Sequence, residues 1–435
     1  MLRGELKLST YHLLLSWCIL LTIADAFSSY SQRSRSGFVS LNASPIGDKS
    51  EIISALNEEF EYQGRIDVPD PDFRCGFLSL IGAANMGKST LLNALIGEEL
   101  CTATNRPQTT RHSILGVLTS EEQKVQLLFL DTPGVIGETA YKLQEGMMEA
   151  VAGAFRDADV VLVITDMFST PIPDDELFRK LNLCDKKKIV VINKIDLADK
   201  VTKDASKDGD QFHNSDNEDP EQLYRRTVTV EDAVGNWRNL VPDALAIIPC
   251  SAMNGYDDVG VTALRTLLCG GPDVGKAFRD LGRPIPGMFL PGVKFIDDET
   301  ALDLIPVSPP LYDPDTLTDR NERFFCAELI RGVLFTKYSK ELPYCCEVRI
   351  DEFREPREGD KRPIIRIKAS ILVERDSQKG IIVGKGGAKI KEVGVEAREK
   401  LEELLQDKVF LNLEVKVDKN WRKDEKKLKA YGYLK

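Results

Sequence analysis

Apolar and polar positions along this 435-residue chain alternate between two patterns. Short runs that are apolar on both faces recur at Phe77–Ile81, Val125–Leu130, Val160–Thr165, Ile189–Ile192 and Ala246–Pro249. Stretches with helical spacing lie between some of them, as at Leu91–Ile96 and 141–157. Strands buried on both faces and alternating with helices predict an α/β layer with a mostly parallel sheet. A different order follows residue 316. A helix is expected from Thr318, with Thr318 or Asp319 as its cap and Phe324, Leu329, Val333 and Leu334 on its apolar face. Strand-like runs follow at Tyr344–Phe353 and Ile364–Val373, then a helix over Ala388–Leu405, a strand over Val409–Val417 and a short last helix. This is the pattern of a smaller α+β domain.

The punctuation between these blocks sets the domain boundaries. The first block runs over 74–271, and an acidic polar insert at about 199–221 reads as a surface loop within it. A Pro-rich connection spans 272–315, and the second block covers 316–435. At the N-terminus, Arg3 and Lys7 precede the apolar core Leu13–Leu21, and Ala24-Asp25-Ala26 fits a small-x-small cleavage site. Phe27–Ser36 is Ser/Arg-rich, and no acid follows until Asp48. A signal followed by a transit-like stretch beginning Ala-Phe resembles the bipartite presequences of algae with complex plastids, so 1–50 is expected to direct the chain to a plastid, with the mitochondrion as the alternative, and 51–73 to be a linker. The apolar core is too short for a membrane span, so the mature chain is expected to have none.

Composition narrows the function classes. The nine cysteines are odd in number and show no C-x-x-C spacing, so reduced thiols are expected rather than a disulfide framework or zinc site. Three histidines leave no basis for a histidine-rich metal centre. Net charge is −11, yet Lys361–Lys435 holds 20 Lys+Arg against 12 Asp+Glu, a net of +8, which leaves −19 for the remainder. A basic end on an acidic body places any nucleic-acid contact in the second block.

The chemistry is most concentrated at Gly82-Ala83-Ala84-Asn85-Met86-Gly87-Lys88-Ser89-Thr90. This fits the phosphate-binding loop, between an apolar strand and a helix-favouring run as the motif requires. Glycines let backbone N–H groups turn inward around a phosphate, and the helix N-terminus favours an anion. The candidate nucleotide contacts here are Gly82, Asn85, Met86, Gly87, Lys88, Ser89 and Thr90. Lys88 would reach the outer phosphates and Ser89 would hold Mg²⁺.

Three later stretches select guanine. Asp131-Thr132-Pro133-Gly134 follows a strand, where Asp131 can hold Mg²⁺ and the Gly134 N–H can sense a γ-phosphate. Asn193-Lys194-Ile195-Asp196 follows the next, and Asp196 can accept from the two guanine donors that adenine lacks. Ser251-Ala252-Met253 follows another, with a backbone N–H for the guanine carbonyl. The separations of 43, 62 and 58 residues from Lys88 through Asp131 and Asn193 to Ser251 keep all four motifs in order. Between loop and acid, Thr109-Thr110-Arg111-His112 occupies the switch position. Thr110 is expected to close over Mg²⁺, with Thr109 as the alternative. Lys88, Thr110 and Gly134 are the candidate catalytic groups. Val135 stands where many GTPases place a water-orienting Gln, so slow intrinsic hydrolysis is expected.

Near the C-terminus, Gly384-Lys385-Gly386-Gly387 fits the G-x-x-G clamp of a KH domain, which grips single-stranded RNA. Lys385, Lys389 and Lys391 add charge, and Ile381, Ile382 and Val383 offer an apolar platform for bases. The element order fits a type II KH topology.

Together, these motifs with Arg106-Pro107-Gln108-Thr109-Thr110-Arg111-His112, Val373–Gly387 and Lys416–Arg422 resemble the Era family of ribosome-assembly GTPases. The likeness covers roughly 75–271 and 316–435. Ala84 and Met86 depart from the family's usual Pro and Val, and neither change removes a phosphate ligand. The resemblance implies a P-loop GTPase domain followed by a type II KH domain, in a monomer using GTP/GDP and Mg²⁺. It implies binding to the 3′ end of small-subunit ribosomal RNA and a role in assembling the small ribosomal subunit. Similarity to GTPases with Asn in the phosphate loop adds K⁺ held partly by Asn85. A GTP-gated RNA-binding adaptor with negligible turnover is the alternative.

Overall fold

The computed structural model describes residues 70–101, 106, 108–136, 139–169, 181, 184–198, 228–270, 304–356 and 363–434. The expected presequence, the acidic insert and the connection up to residue 303 lie outside them.

The apolar runs become strands β1 (Arg74–Ile81), β2 (Ile114–Ser120), β3 (Val125–Asp131), β4 (Val160–Asp166), β5 (Lys187–Asn193) and β6 (Ala246–Pro249). They form one sheet in the order β2-β3-β1-β4-β5-β6. All pairings are parallel except β2 with β3. β1 lies between β3 and β4, so strand order reverses there. The loops leaving the carboxyl ends of β1 and β3 therefore open onto a shared crevice, the usual ligand position in such sheets. Helices α1 (Lys88–Ile96), α2 (Lys142–Asp157), α3 (Val230–Leu240) and α4 (Val259–Cys269) accompany the strands. Two apolar cores, one around Leu80, Leu92, Phe129 and Leu264 and one around Val161, Ile192 and Trp237, bury both faces. This double burial explains why the strands carry no polar alternation.

The second block folds as α5 (Glu322–Lys337), β7 (Glu347–Arg354), β8 (Ile365–Val373), α6 (Asp376–Val383), α7 (Ala388–Leu405), β9 (Val409–Val417) and α8 (Glu425–Ala430). β8 pairs antiparallel with β7 and parallel with β9. Residues of α5, α7 and the three strands share one core, including Ile330, Leu334, Ile367, Ala397 and Leu401.

One expectation is corrected. α5 starts at Glu322, capped by Asn321, whose side chain accepts from the Phe324 N–H at 3.0 Å; Thr318 and Asp319 lie outside the helix. The described part of the Pro-rich connection is bonded to the large sheet. Pro306 accepts from Cys75 N, Ser308 N donates to Phe73, and Leu317 accepts from Val117 N. The fully buried Gln126 completes the attachment. Its Oε1 accepts from Leu311 N (2.8 Å) and Tyr312 N (3.0 Å), and its Nε2 donates to the Tyr312 carbonyl (2.8 Å). Residues 304–317 are thus a strap fastened to the large sheet.

Candidate nucleotide and RNA sites

The phosphate loop leaves β1 at Gly82 and turns into α1 at Lys88. Asn85 and Gly87 adopt left-handed backbone, with φ 67° and 86°. At Gly87 a Cβ would stand 2.2 Å from Asn193 Nδ2, so only glycine fits. Lys88 is buried, and its ammonium donates to the carbonyls of Gly82 (3.1 Å) and Ala83 (2.9 Å). Burial pulls its pKa down to about 8, against the opposing pull of Asp131.

The D-x-x-G stretch seats on this loop. Thr132 Oγ1 donates to the Leu80 carbonyl at 2.6 Å, Val135 N donates to Gly82 O at 3.1 Å, and Gly134 packs on Ala84. Ser89 Oγ donates to Asp131 Oδ2 at 2.6 Å and lies 2.9 Å from Thr110 Oγ1. Asp131 is fully buried, and its Oδ1 has no hydrogen-bond partner. Burial raises its carboxyl to about 6, although Lys88 opposes the rise. Two hydroxyls and one under-satisfied carboxylate at one point form a hard-oxygen set suited to Mg²⁺. Asn85, Gly87, Lys88, Ser89, Thr90, Thr110 and Gly134 line one cleft, together with Thr109, Arg106 and Gln108. The last two had no assigned role; their place between loop and acid was the available signal.

At the other end, Asn193 Nδ2 donates to the Met86 carbonyl. Lys194 Nζ pairs with Asp166 at 3.1 Å, and Ser251 Oγ donates to Asp196 Oδ1 at 2.7 Å. Within Ser251-Ala252-Met253, the Ala252 N–H donates to Asn193 Oδ1 at 2.9 Å. Asp166 also went unassigned. It ends β4 at the carboxyl edge of the sheet, and its Oδ1 accepts from Phe168 N (3.2 Å) and Ser169 N (2.8 Å).

The glycine loop of the second block is set for close approach. Gly384, Gly386 and Gly387 have φ of 71°, 63° and 81°, and a Cβ at Gly386 or Gly387 would meet nothing within 4 Å. α7 begins at Ala388 with no acid in its first turn, and Lys385, Lys389 and Lys391 are exposed around it. Ile381 is 49 % exposed, whereas Ile382 is fully buried, and its carbonyl accepts from Tyr338 OH at 2.8 Å. The expected apolar platform therefore loses Ile382, because these residues sit on helix α6, whose inner face turns Ile382 into the core.

Comparison with known proteins agrees with this geometry. Residues 77–194 match the family of 50S ribosome-binding GTPases, and 341–422 match the KH domain. A "GTPase ERA-like, chloroplastic" protein of Arabidopsis thaliana is 32 % identical over 384 residues, covering 87 % of this chain and 73 % of that one. The GTPase Era of Xylella fastidiosa is 32 % identical over 361 residues, covering 83 % of this chain and 98 % of that one.

The chain belongs to the Era family of GTPases.

Two solved Era structures each cover 83 % of this chain and are covered in full. An Aquifex aeolicus Era variant bound to GDP·AlF4⁻ is 28 % identical with a TM-score of 0.61. Era in complex with MgGDPNP and nucleotides 1506–1542 of 16S ribosomal RNA is 27 % identical with a TM-score of 0.62. In Era terms, the large sheet is the P-loop GTPase domain and the three-stranded unit is the C-terminal KH domain.

Proposed function

We propose that this protein binds and hydrolyses GTP, grips the 3′ end of small-subunit ribosomal RNA and acts in assembly of the small ribosomal subunit. The observation that carries the reading is the meeting of Thr110, Ser89 and Asp131 beside the phosphate loop. Ser89, Thr110 and Asp131 would hold Mg²⁺, which when bound would neutralise charge on the outer phosphates. Lys88 would leave its loop carbonyls for those phosphates, and the Gly134 N–H would face the γ-phosphate. Asp196, held by Ser251, would accept from the guanine edge, with Asn193 and Lys194 shaping the base pocket.

Val135 cannot hydrogen-bond an attacking water, so turnover is slow without help; this also keeps a GTP-gated adaptor with negligible turnover as a second reading. K⁺ partly held by Asn85 would supply charge beside the phosphates. Gly384–Gly387 with Lys385, Lys389, Lys391 and Ile381 would clamp the RNA backbone and stack a base. The GTPase domain is assigned to 74–271 and the KH domain to 316–435, as a monomer. Chloroplast relatives and the bipartite leader support a plastid location. Among the described residues, no helix is long and apolar enough to cross a membrane.

The test is GTP against ATP binding, followed by single-turnover GTP hydrolysis with and without the rRNA 3′ end. Preference for GTP with turnover that rises on RNA supports the reading; equal uptake of ATP overturns it.

A further inference from the structure

Thr110 is the last residue of a segment held from the far side by the KH domain. Arg331, on α5, is 1 % exposed, and its Nη1 donates to the Thr109 carbonyl at 2.7 Å. Its other nitrogens pair with Glu328, one at 3.1 Å from Nε. Arg111, next to Thr110, is 3 % exposed and enters the KH domain. It donates to the carbonyls of Cys346 (2.8 Å), Pro343 and Tyr344 (both 3.1 Å), and lies 3.4 Å from Glu347 Oε2. Glu347 also accepts from Tyr433 OH at 2.5 Å, and the Tyr433 ring stacks on His112 at 4.2 Å. At the near end of the segment, Arg106 donates to the Tyr338 carbonyl.

These contacts fix backbone, not only side chains. The Thr109 carbonyl is one peptide from Thr110, whose hydroxyl stands 2.9 Å from Ser89 Oγ. Buried arginine forks with several acceptors leave little freedom, because each lost contact would strand a buried charge or carbonyl. A displacement of about 1 Å in a group that positions reacting phosphates can lower the rate about a hundredfold.

Resting on the GTPase reading above, we propose that Arg331 of the KH domain is a positioning residue for GTP hydrolysis, holding the Thr109 carbonyl so that Thr110 stays over Ser89 and Asp131. The RNA-binding domain thereby completes the nucleotide site without touching the nucleotide. Glu328 shares the ion pair with Arg331 and acts on His112 and Arg111 through charge, but the hydrogen bond to the Thr109 carbonyl comes from Arg331, so the two residues separate backbone positioning from charge balance.

The experiment compares full-length wild type, Arg331→Gln and Glu328→Gln. Arg331→Gln is expected to lower kcat about tenfold to a hundredfold, with GTP KM and GDP affinity changed little. Its Mg²⁺ requirement should rise, and hydrogen exchange in 106–112 of the GDP-bound protein should speed up. Glu328→Gln should lower Tm yet keep kcat and the slow exchange. If Arg331→Gln does not fold, Arg331→Lys replaces it, keeping the cation but losing the fork. Wild-type kcat and exchange in the folded Arg331 variant would overturn the proposal. So would equal loss of kcat in both variants in proportion to Tm. A wild type that fails to prefer or hydrolyse GTP would instead overturn the underlying GTPase reading.

Discussion

Asn193 joins the two ends of the nucleotide site through Met86. Its Nδ2 donates to the Met86 carbonyl at 3.0 Å, and its Oδ1 accepts from Lys194 N (2.8 Å) and Ala252 N (2.9 Å). One amide therefore sets the distance between phosphate loop and base pocket. Asn193→Ala leaves a buried carbonyl and two N–H groups without this partner, at a cost of about 2–4 kcal/mol. Urea unfolding should show that loss. Titration with a fluorescent GDP should show affinity down by about tenfold or more. Unchanged GDP affinity would mean that the clamp is irrelevant to binding.

Base choice is expected to rest on Asp196, whose Oδ1 is fixed by Ser251 at 2.7 Å. Asp196→Asn replaces an acceptor with a donor opposite the guanine amine. GTP affinity should fall by about 10²-fold or more, while xanthosine triphosphate, with a carbonyl at that position, should gain. Competition binding with both nucleotides measures the swap. No change in preference would place the base elsewhere.

The parts legible in the sequence were those whose chemistry is local. Gly82–Thr90 names its own backbone geometry, and the Ala388–Leu405 helix has the bounds its spacing gave. Asn321 was harder, because Thr318, Asp319 and Asn321 are all cap-forming residues within four positions, and only the Phe324 contact decides among them. Ile382 stands in an apolar run, Ile381–Val383, whose sequence does not say which side chain faces solvent; packing on helix α6 puts Ile382 in the KH core. The contacts of Arg111 and Arg331 across the domains join residues more than 200 positions apart. No local pattern encodes such a pairing.

The strap yields a stability prediction. Gln126 is an amide on a strand whose neighbours are apolar; besides Thr119 and Cys75 on the sheet itself, its partners are the Leu311 and Tyr312 backbone. Gln126→Ala should unpair two N–H groups and a carbonyl, costing about 2–4 kcal/mol. Limited proteolysis should then cut within 304–317 in the folded variant but not in wild type. Equal protection of that segment would show that the other backbone bonds suffice.

A cation beside the phosphate loop predicts salt-specific turnover. Asn85 stands at φ 67°, so the loop backbone is bent there and its carbonyls and side chain border the cleft. Hydrolysis at equal ionic strength should be severalfold faster in KCl than in NaCl, and Asn85→Ala should erase the difference. Matching wild-type rates in both salts would rule out the cation.

RNA binding should depend on open space at Gly386. Its φ of 63° is left-handed, which Asp tolerates better than most residues, and no atom lies within 4 Å of a Cβ built there. Gly386→Asp should therefore fold, losing about 1–2 kcal/mol to backbone strain. The new carboxylate would stand where the RNA backbone must approach, beside the Lys385 and Lys389 charges. Affinity for a single-stranded rRNA 3′ end should fall by at least about tenfold, since the new carboxylate repels the phosphate it faces and offsets a neighbouring lysine charge. Lys385→Ala should weaken binding to every sequence alike and flatten the salt dependence by about 0.7 in log–log slope. Fluorescence anisotropy across a salt series reads both. If Gly386→Asp bound RNA as wild type does, the glycine loop would not be the clamp, and the exposed lysines would be a solvated face.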